Sequence, residues 1–239
     1  MTSHISILHH IGKLLLILII AFESCKSNTT PKPMNKNTKT YTLLGLGDSY
    51  TFGQNVLAEE RYISQLYQML ISKKYNFSAP KIIAQTGWTS SELLENIKTN
   101  SDKNNYDFVC LLIGVNNEFR GFPVESYNEE FIKCIDTAIR RANNDPSHVF
   151  VLSIPDYSVS SFAGKQTIPN NISNRIDAYN KINQAITNEK KAHYIEITED
   201  SRLALTDNTL IASDGLHPSA IMYKNWAEKI LPLIINEIK

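Results

Sequence analysis

At residues 43–53 the chain reads LLGLGDSYTFG, an apolar run that breaks at a turn and delivers a serine. A short buried strand has about four to eight apolar residues closed by a turn signal, and residues 41–46 followed by Gly47-Asp48 fit that pattern. The loop after such a strand is where open α/β sheets bind ligands. Ser49 is therefore a candidate nucleophile, although Gly, Asp and Ser are also the ordinary residues of turns.

From Tyr41 onwards, strand-like and helix-like segments alternate, which predicts βαβ units and a parallel sheet in an α/β fold. Further strands are expected at 81–85, 108–113, 149–152 and 193–197. The segment FVCLLI at 108–113 is continuously apolar, as a central strand buried on both faces should be. Helices are expected at 59–73, 89–98, 124–143, 172–190 and 218–238. Thr89 and Glu92 form a capping-box pattern at the start of the second helix.

The composition indicates one globular domain. The chain has 239 residues, of which 42% are hydrophobic, and this length can bury a sizeable core. We expect the domain to span residues 41–239. Lys and Arg together number 24, as do Asp and Glu, so no net charge attracts a polyanion. Nucleic-acid binding is therefore not expected.

The N-terminal segment is different in character. Residues 1–24 predict a secretory signal, because Lys13 precedes an apolar run at 14–22 that is too short to span a bilayer of about 30 Å. Cys25 follows the small residue Ser24, which resembles a bacterial lipoprotein signal, where the cysteine is acylated and becomes the mature N-terminus. Residues 25–40 have almost nothing to bury and are expected to be a disordered tether.

This segment predicts an extracytoplasmic protein, in the periplasm or at the cell surface. Contact with a membrane is expected only through the lipid anchor at Cys25. An uncleaved signal anchor or a free cysteine is the alternative interpretation of the same residues.

A serine becomes a useful nucleophile only when a nearby base takes its proton, so we looked for a histidine. Three of the six histidines lie in the signal, while His148 and His193 each open a predicted strand, at the end of the sheet opposite Ser49. His217 remains, in the segment SDGLHP. Asp214, three residues earlier with a glycine between, can fold back onto the imidazole and fix its tautomer. The same spacing also occurs at a helix cap beside a surface histidine.

Acyl transfer by a serine also needs hydrogen-bond donors directed at the developing oxyanion. Asn116 lies in the segment GVNN after the third strand, and the amide of Gly87 follows the second strand. In a sheet of order 2-1-3-4-5 the topological switch lies between strands one and three, so the loops of Ser49 and Asn116 would face each other. Taken separately, both glycine-containing segments are common turns.

Together these segments resemble the four blocks of the SGNH or GDSL hydrolase family. The blocks are Gly-Asp-Ser after the first strand, a glycine after the second, Gly-x-Asn after the third and Asp-x-x-His near the C-terminus. Here they occur in that order and cover the chain from Tyr41 onwards. The resemblance implies a three-layer α/β/α fold with a five-stranded parallel, flavodoxin-like sheet of order 2-1-3-4-5.

The resemblance also implies roles for single residues. It makes Ser49 the nucleophile, Asp214 and His217 its partners, and it builds an oxyanion hole from the Ser49 and Gly87 amides and the Asn116 side chain. The chain departs from the family pattern at two positions. Asn117 stands where the family often has Asp, and Tyr50 follows the serine in place of Leu.

The activity implied is serine-dependent hydrolysis of a carboxylic ester through an acyl-enzyme, with no metal or cofactor. The substrate would be a small acyl ester, such as a glycan O-acetyl group or a lysophospholipid. One alternative is a metallophosphoesterase, whose two metals need several histidines. The other is a non-catalytic surface lipoprotein that binds glycan or acyl groups on the same fold.

Aromatic residues in the loops at the strand exits are candidates for substrate binding, although such residues are as often packing residues. The loop at 154–164 is long for its position, and long connections are usually binding loops or lids. The candidates in these loops are Phe119, Arg120, Phe122, Tyr157 and Phe162.

Two cysteines follow Cys25. Cys110 lies in an apolar strand and Cys134 in the middle of a helix, which favours buried free thiols. A disulfide between them is the alternative in a secreted protein.

Overall fold

The structure is a computed structural model that describes residues 39–163 and 171–238. The predicted signal at 1–24, Cys25 and the predicted tether up to residue 38 lie outside these residues. So does residue 164, the last of the long loop singled out above. No helix in the described ranges is long and apolar enough to cross a membrane.

Five parallel strands form one sheet of order β2-β1-β3-β4-β5, which confirms the predicted topology. β1, β3 and β4 are buried at every position, as their continuous apolar runs predict. The predicted strands are correct in position and differ only at their ends. The strands are β1 Leu43–Gly47, β2 Lys81–Ala84, β3 Phe108–Leu112, β4 Val149–Leu152 and β5 His193–Ile195.

Two groups of long helices cover the sheet, giving an α/β/α arrangement. One group contains α2, which packs against α8, and in the other α5 packs against both α3 and α6. Three short helices, α1, α4 and α7, begin directly at strand exits. The helices are α1 Ser49–Phe52, α2 Tyr62–Ser72, α3 Ser90–Thr99, α4 Val115–Phe119, α5 Val124–Arg141, α6 Ile172–Glu189, α7 Thr198–Arg202 and α8 Ala220–Glu237.

The predicted start of the last helix at Pro218 was wrong. The N-cap is Ser219, whose hydroxyl accepts a hydrogen bond from the Met222 amide, and α8 begins at Ala220. Pro218 instead forms an isolated antiparallel bridge with Ile211. The helix begins after the serine because the serine side chain accepts a hydrogen bond from an amide of the first turn, which a proline side chain cannot do.

The capping box predicted at Thr89 is confirmed. The Thr89 amide donates to Glu92 Oε2 at 2.8 Å, and the Glu92 amide donates to Thr89 Oγ1 at 3.4 Å. This reciprocal pair fixes the point at which the chain turns from the β2 exit into α3.

The register of the central strands places two strand exits side by side. Gly47 at the end of β1 pairs with Leu112 at the end of β3, so the segments carrying Ser49 and Asn116 leave the sheet at the same level. A Cβ atom at Gly47 would collide with the Leu112 carbonyl oxygen and the Thr51 side chain. Only glycine therefore allows the chain to pass this close to β3 before the serine.

Both remaining cysteines are buried free thiols, as the sequence favours, and they form no disulfide. Burial raises the pKa of Cys110 to about 12 and also raises that of Cys134. Their role is packing.

Candidate active site

A pocket opens at the carboxyl end of the sheet, beside the exits of β1, β2 and β3. Its cavity volume is about 150 Å³ and most of its lining is apolar. The structure brings seven of the predicted site residues to its wall. They are Ser49, Gly87, Asn116, Phe119, Tyr157, Phe162 and His217.

Arg120 and Phe122 were expected to line the site and do not line this pocket. Both follow α4, on either side of Gly121 with φ +70°, and the Phe122 side chain is exposed. Arg120 turns towards the loop after β2. Phe119, placed in a loop by the sequence, is the last residue of α4.

Ser49 is the first residue of α1 and follows β1 after one intervening residue, Asp48. Only 5% of the serine is exposed, and its surface lies in the pocket. Asp48 is the N-cap and accepts a hydrogen bond from the Tyr50 amide at 3.0 Å. Because Ser49 opens the helix, its backbone N–H has no partner within α1.

Asp48 is more than the turn residue that the sequence indicates. Its side chain is fully buried, and Oδ2 has no hydrogen-bond partner in the described part of the chain. Burial raises the pKa of Asp48 to about 7, although hydrogen bonds from the Tyr50 and Asp48 amides act in the opposite direction. A titratable carboxyl group therefore lies directly before the candidate nucleophile.

Asp214 folds back onto His217 as the spacing suggests. Its Oδ2 lies 2.5 Å from His217 Nδ1, and its Oδ1 accepts the Leu216 and His217 amides at 2.9 and 3.0 Å. Asn55 Nδ2 also donates to Oδ2. Burial acts to raise the pKa of Asp214, but the hydrogen bonds from the His217 side chain and the two amides hold it below its usual range.

This arrangement sets the tautomer of His217. An ionised carboxylate only accepts hydrogen bonds, so Nδ1 must be the donor to Asp214, and Nε2 is left to accept a proton. His217 is 8% exposed, and its imidazole packs edge-on against the Tyr50 ring, with centroids 5.8 Å apart. Among the described residues, no hydrogen bond joins His217 to Ser49. Such catalytic bonds often tighten only when substrate is bound.

Two groups opposite Ser49 can act as oxyanion donors. Asn116 Nδ2 donates to the Trp88 carbonyl at 2.9 Å, and its second N–H is left over for a ligand. Gly87 has φ +89°, and its amide donates to no group in the described ranges. The Trp88 amide donates to the Gln85 carbonyl at 3.3 Å, so Gly87 occupies the third position of a four-residue turn that needs positive φ.

Asn117, one of the two departures from the family pattern, has a clear structural role. Its side chain is fully buried, accepts a hydrogen bond from the Ser90 amide at 2.9 Å and donates to Ser90 Oγ and Glu130 Oε2 at 2.7 and 3.2 Å. An aspartate here would place a second carboxylate beside Glu130 and would lose both donated bonds. The amide side chain thus suits the neighbouring Glu130.

Three aromatic rings form one wall of the pocket. The Phe119 ring lies 5.9 Å from that of Tyr157 and 6.4 Å from that of Phe162. Burial and the neighbouring Glu118 carboxylate raise the pKa of Tyr157. Glu118 is itself buried and pairs with the Arg175 guanidinium, which also donates to the Glu118 carbonyl at 2.8 Å.

Sequence reasoning did not find every residue of the site. Asn55, in the left-handed region at φ 62°, supports Asp214 from 159 residues away in the chain, and no motif marks it. Tyr50, Val115 and Leu216 complete the apolar lining, and only their closeness to the motifs could have suggested them. Within the described ranges, no three His, Cys, Asp or Glu side chains are grouped to hold a metal ion.

Several solved structures share this fold. The lipase/acylhydrolase from Enterococcus faecalis aligns with a TM-score of 0.66 at 17% identity, covering 84% of this chain and 98% of that one. The psychrotrophic esterase EstA from Pseudoalteromonas sp. aligns with a TM-score of 0.64 at 17% identity, covering 83% and 98%. The acetylxylan esterase Axe2 from Geobacillus stearothermophilus aligns with a TM-score of 0.63 at 16% identity, covering 81% and 94%.

No curated protein matches the sequence significantly. The family profile described as "GDSL-like Lipase/Acylhydrolase family" matches residues 46–224, which is well over half of the chain and includes all four blocks. The chain therefore belongs to the GDSL-like lipase/acylhydrolase family, and so to the carboxylic ester hydrolases.

Proposed function

We propose that this protein is a serine esterase that hydrolyses short-chain carboxylic esters through an acyl-enzyme on Ser49. One observation carries the proposal: a single apolar pocket is lined by Ser49, His217, Gly87 and Asn116. Asp214 bonds to Nδ1 of the same imidazole, on the side away from Nε2. Each group that acyl transfer requires is then present at the place where a substrate would bind.

The first half of the reaction forms the acyl-enzyme. His217 Nε2 takes the Ser49 proton as Oγ attacks the ester carbonyl, and the carbonyl oxygen becomes an oxyanion. The Ser49 and Gly87 amides and Asn116 Nδ2 stabilise that charge. The imidazolium then protonates the departing alcohol, and the carbon–oxygen bond to it breaks. Asp214, whose pKa is low, stays ionised and stabilises the imidazolium.

The second half releases the acid. A water molecule gives a proton to His217 and attacks the acyl carbon, which forms a second oxyanion in the same donors. The imidazolium returns the proton to Ser49 Oγ as its bond to the acyl group breaks. The products are the carboxylic acid and the regenerated enzyme.

The size of the pocket favours a short acyl group. A cavity of about 150 Å³ holds a group the size of benzene, roughly six carbon atoms. An O-acetyl group fits within this space, whereas a long lysophospholipid chain would have to extend through the open side of the pocket into solvent. One of the esterases that share the fold is an acetylxylan esterase, an activity in keeping with a short acyl group.

Labelling with a fluorophosphonate tests the activated serine, because only a nucleophile with a working base reacts with it. We expect the wild-type protein to be labelled and Ser49→Ala to be unlabelled and inactive. Turnover of p-nitrophenyl esters should be highest for acyl groups up to roughly six carbons and fall beyond them. A wild-type protein that is neither labelled nor active would favour the non-catalytic, ligand-binding alternative.

We also propose that the enzyme is exported and held at a membrane by a lipid on Cys25. The apolar run at 14–22 followed by Ser24-Cys25 supports this proposal. Cys25→Ala should release the protein from membranes and leave ester hydrolysis unchanged. If the variant stays with the membrane after a carbonate wash, the segment is an uncleaved anchor.

A further inference from the structure

Three side chains from α4 and its C-cap hold the segment from the exit of β2 to the first residue of α3. Asn116 donates to the Trp88 carbonyl at 2.9 Å, and Asn117 accepts the Ser90 amide at 2.9 Å. Arg120, the C-cap residue, donates from Nη2 to the Gly87 carbonyl at 2.6 Å. The short helix thus contacts this segment at three points, two of them at the carbonyls of Gly87 and the next residue.

The Arg120 guanidinium is itself held in place. Its Nη1 lies 3.2 Å from Glu92 Oε1, while the other oxygen of Glu92 accepts the Thr89 amide at 2.8 Å. The capping box of α3 therefore positions the group that binds Gly87. A planar guanidinium with two partners keeps its orientation better than a single ammonium would.

Gly87 needs such support because a glycine backbone does little to fix its own conformation. Glycine adopts positive and negative φ with similar ease, so its peptide groups can rotate at small cost. The Gly87 amide is the proposed oxyanion donor and has no partner in the described ranges, whereas its carbonyl is bound by Arg120. The Gly87 amide and carbonyl belong to successive peptide groups, so Arg120 fixes the Gly87–Trp88 peptide and with it the place of Gly87, while the positive φ of Gly87 sets the direction of its amide.

We infer that Arg120 is a positioning residue for the oxyanion hole: it holds the Gly87–Trp88 peptide in place, so that the turn carrying the Gly87 amide stays beside the pocket. Arg120 does not line the pocket, and its side chain is 41% exposed. It acts through Gly87 and does not touch the substrate. The inference rests on the proposed esterase function.

Two substitutions test the role. Arg120→Met keeps the aliphatic stem and removes both donated bonds, and we expect kcat to fall about tenfold or more with KM changed less than about twofold. The fall should stay below the roughly hundred- to thousandfold loss that removal of a whole oxyanion donor causes. Arg120→Lys can still donate to the Gly87 carbonyl and should restore part of the rate.

Arg140 provides a matched control. It is an exposed arginine on α5 whose Nη2 bonds only to Thr137 Oγ1 among the described groups, so Arg140→Met should leave kcat unchanged. Thermal unfolding of each variant shows whether it is folded. If Arg120→Met does not fold, Arg120→Lys decides the question by the same split between kcat and KM.

The outcomes separate this inference from the proposed function. If the wild-type protein shows neither esterase activity nor fluorophosphonate labelling, the proposed function is wrong. An active wild type with wild-type kcat in both Arg120 variants, or with a raised KM at constant kcat, would overturn the positioning role alone. Reduced labelling of folded Arg120→Met, recovered in part by Arg120→Lys, would support it.

Discussion

Ser49 and Asn116 lie in one pocket but are assigned different tasks, so their replacement should leave different kinetic signatures. Asn116→Ala removes one oxyanion donor, which acts only when charge develops on the substrate oxygen. We expect kcat to fall by roughly a hundred- to a thousandfold with KM nearly unchanged. Steady-state kinetics on a p-nitrophenyl ester measure both values.

The opposite pattern would be decisive. If Asn116→Ala raised KM and left kcat unchanged, the asparagine would hold ground-state substrate, and the oxyanion role would be lost. Its bond to the Trp88 carbonyl makes unfolding a second effect to check, so circular dichroism should accompany the kinetics.

The proposed base predicts how the rate depends on pH. Protonated imidazole cannot accept the Ser49 proton, so kcat/KM should fall as the pH is lowered from about 8 to about 5. Protonation of Asp214 does not contribute to this fall in kcat/KM, because the pKa of Asp214 lies below its usual value. A flat profile over this range would argue against His217 as the base.

Asp48 predicts a pH dependence of stability. Its pKa is about 7 in the folded state against about 3.9 in an unfolded chain, so the folded protein keeps a proton that the unfolded chain releases. The stabilisation from this group is complete below about pH 4 and is lost as the pH rises to about 7. The free energy of unfolding should thus decrease over that window.

Asp48→Asn keeps the acceptor for the Tyr50 amide but cannot titrate. We therefore expect its free energy of unfolding in urea to fall less between about pH 5 and pH 8 than that of the wild type, by an amount on the order of a few kcal/mol. Parallel curves for the two proteins would show that Asp48 does not titrate in this window.

Much of the residue-scale arrangement could be predicted from sequence, since Ser49, Gly87 and Asn116 each follow a strand exit, and His217 is marked by its spacing from Asp214. Asn55 could not be predicted. Its bond to Asp214 depends on how two loops distant in the chain meet, and no periodicity or spacing encodes that.

Among the secondary-structure elements, α4 is joined to α6 by a buried charge pair. Glu118 on α4 is buried, and its partner Arg175 on α6 is partly exposed. Burial raises the pKa of Glu118, with Arg175 acting in the opposite direction. Removing the arginine leaves a buried carboxyl group without its cation.

Arg175→Met should therefore lower the free energy of unfolding by about 2 kcal/mol, less than for a fully buried pair because Arg175 keeps some solvent. Glu118→Gln combined with Arg175→Met should recover part of the loss, since the amide carries no charge to desolvate. Urea denaturation of the two single variants and the double variant gives the coupling energy. Additive losses would mean that the two groups are independent.

The long elements could be predicted from sequence, and the short helices could not. Runs such as 108–113 and the periodic segments around α2, α5 and α6 carry enough residues for a period to show. α1 and α4 have four and five residues, about one turn each, and they were read as turns. They are the elements that carry Ser49 and Asn116.

For the whole molecule, the alternation of strands and helices predicts a parallel sheet with few possible topologies, and the strand order came from the resemblance to the SGNH or GDSL hydrolase family. The contacts between the loops above the sheet could not be predicted, since they depend on the packing of irregular chain. One such contact joins Ser161 and Phe162, in the long loop after β4, to the segment that carries His217. The Phe162 amide and Ser161 Oγ both donate to the Gly215 carbonyl, at 3.1 and 3.3 Å.

This contact links Phe162, in the wall of the pocket, to the segment that carries the proposed general base His217. A bulky acyl group that displaces Phe162 would also disturb the bonds to the Gly215 carbonyl, two residues before His217. Bulky esters should then be admitted yet react slowly, so that kcat falls more steeply with acyl length than KM rises. A constant kcat with a rising KM would show that the wall moves independently. In that case the proposed enzyme selects acyl length at the catalytic step, through kcat, more than at the binding step.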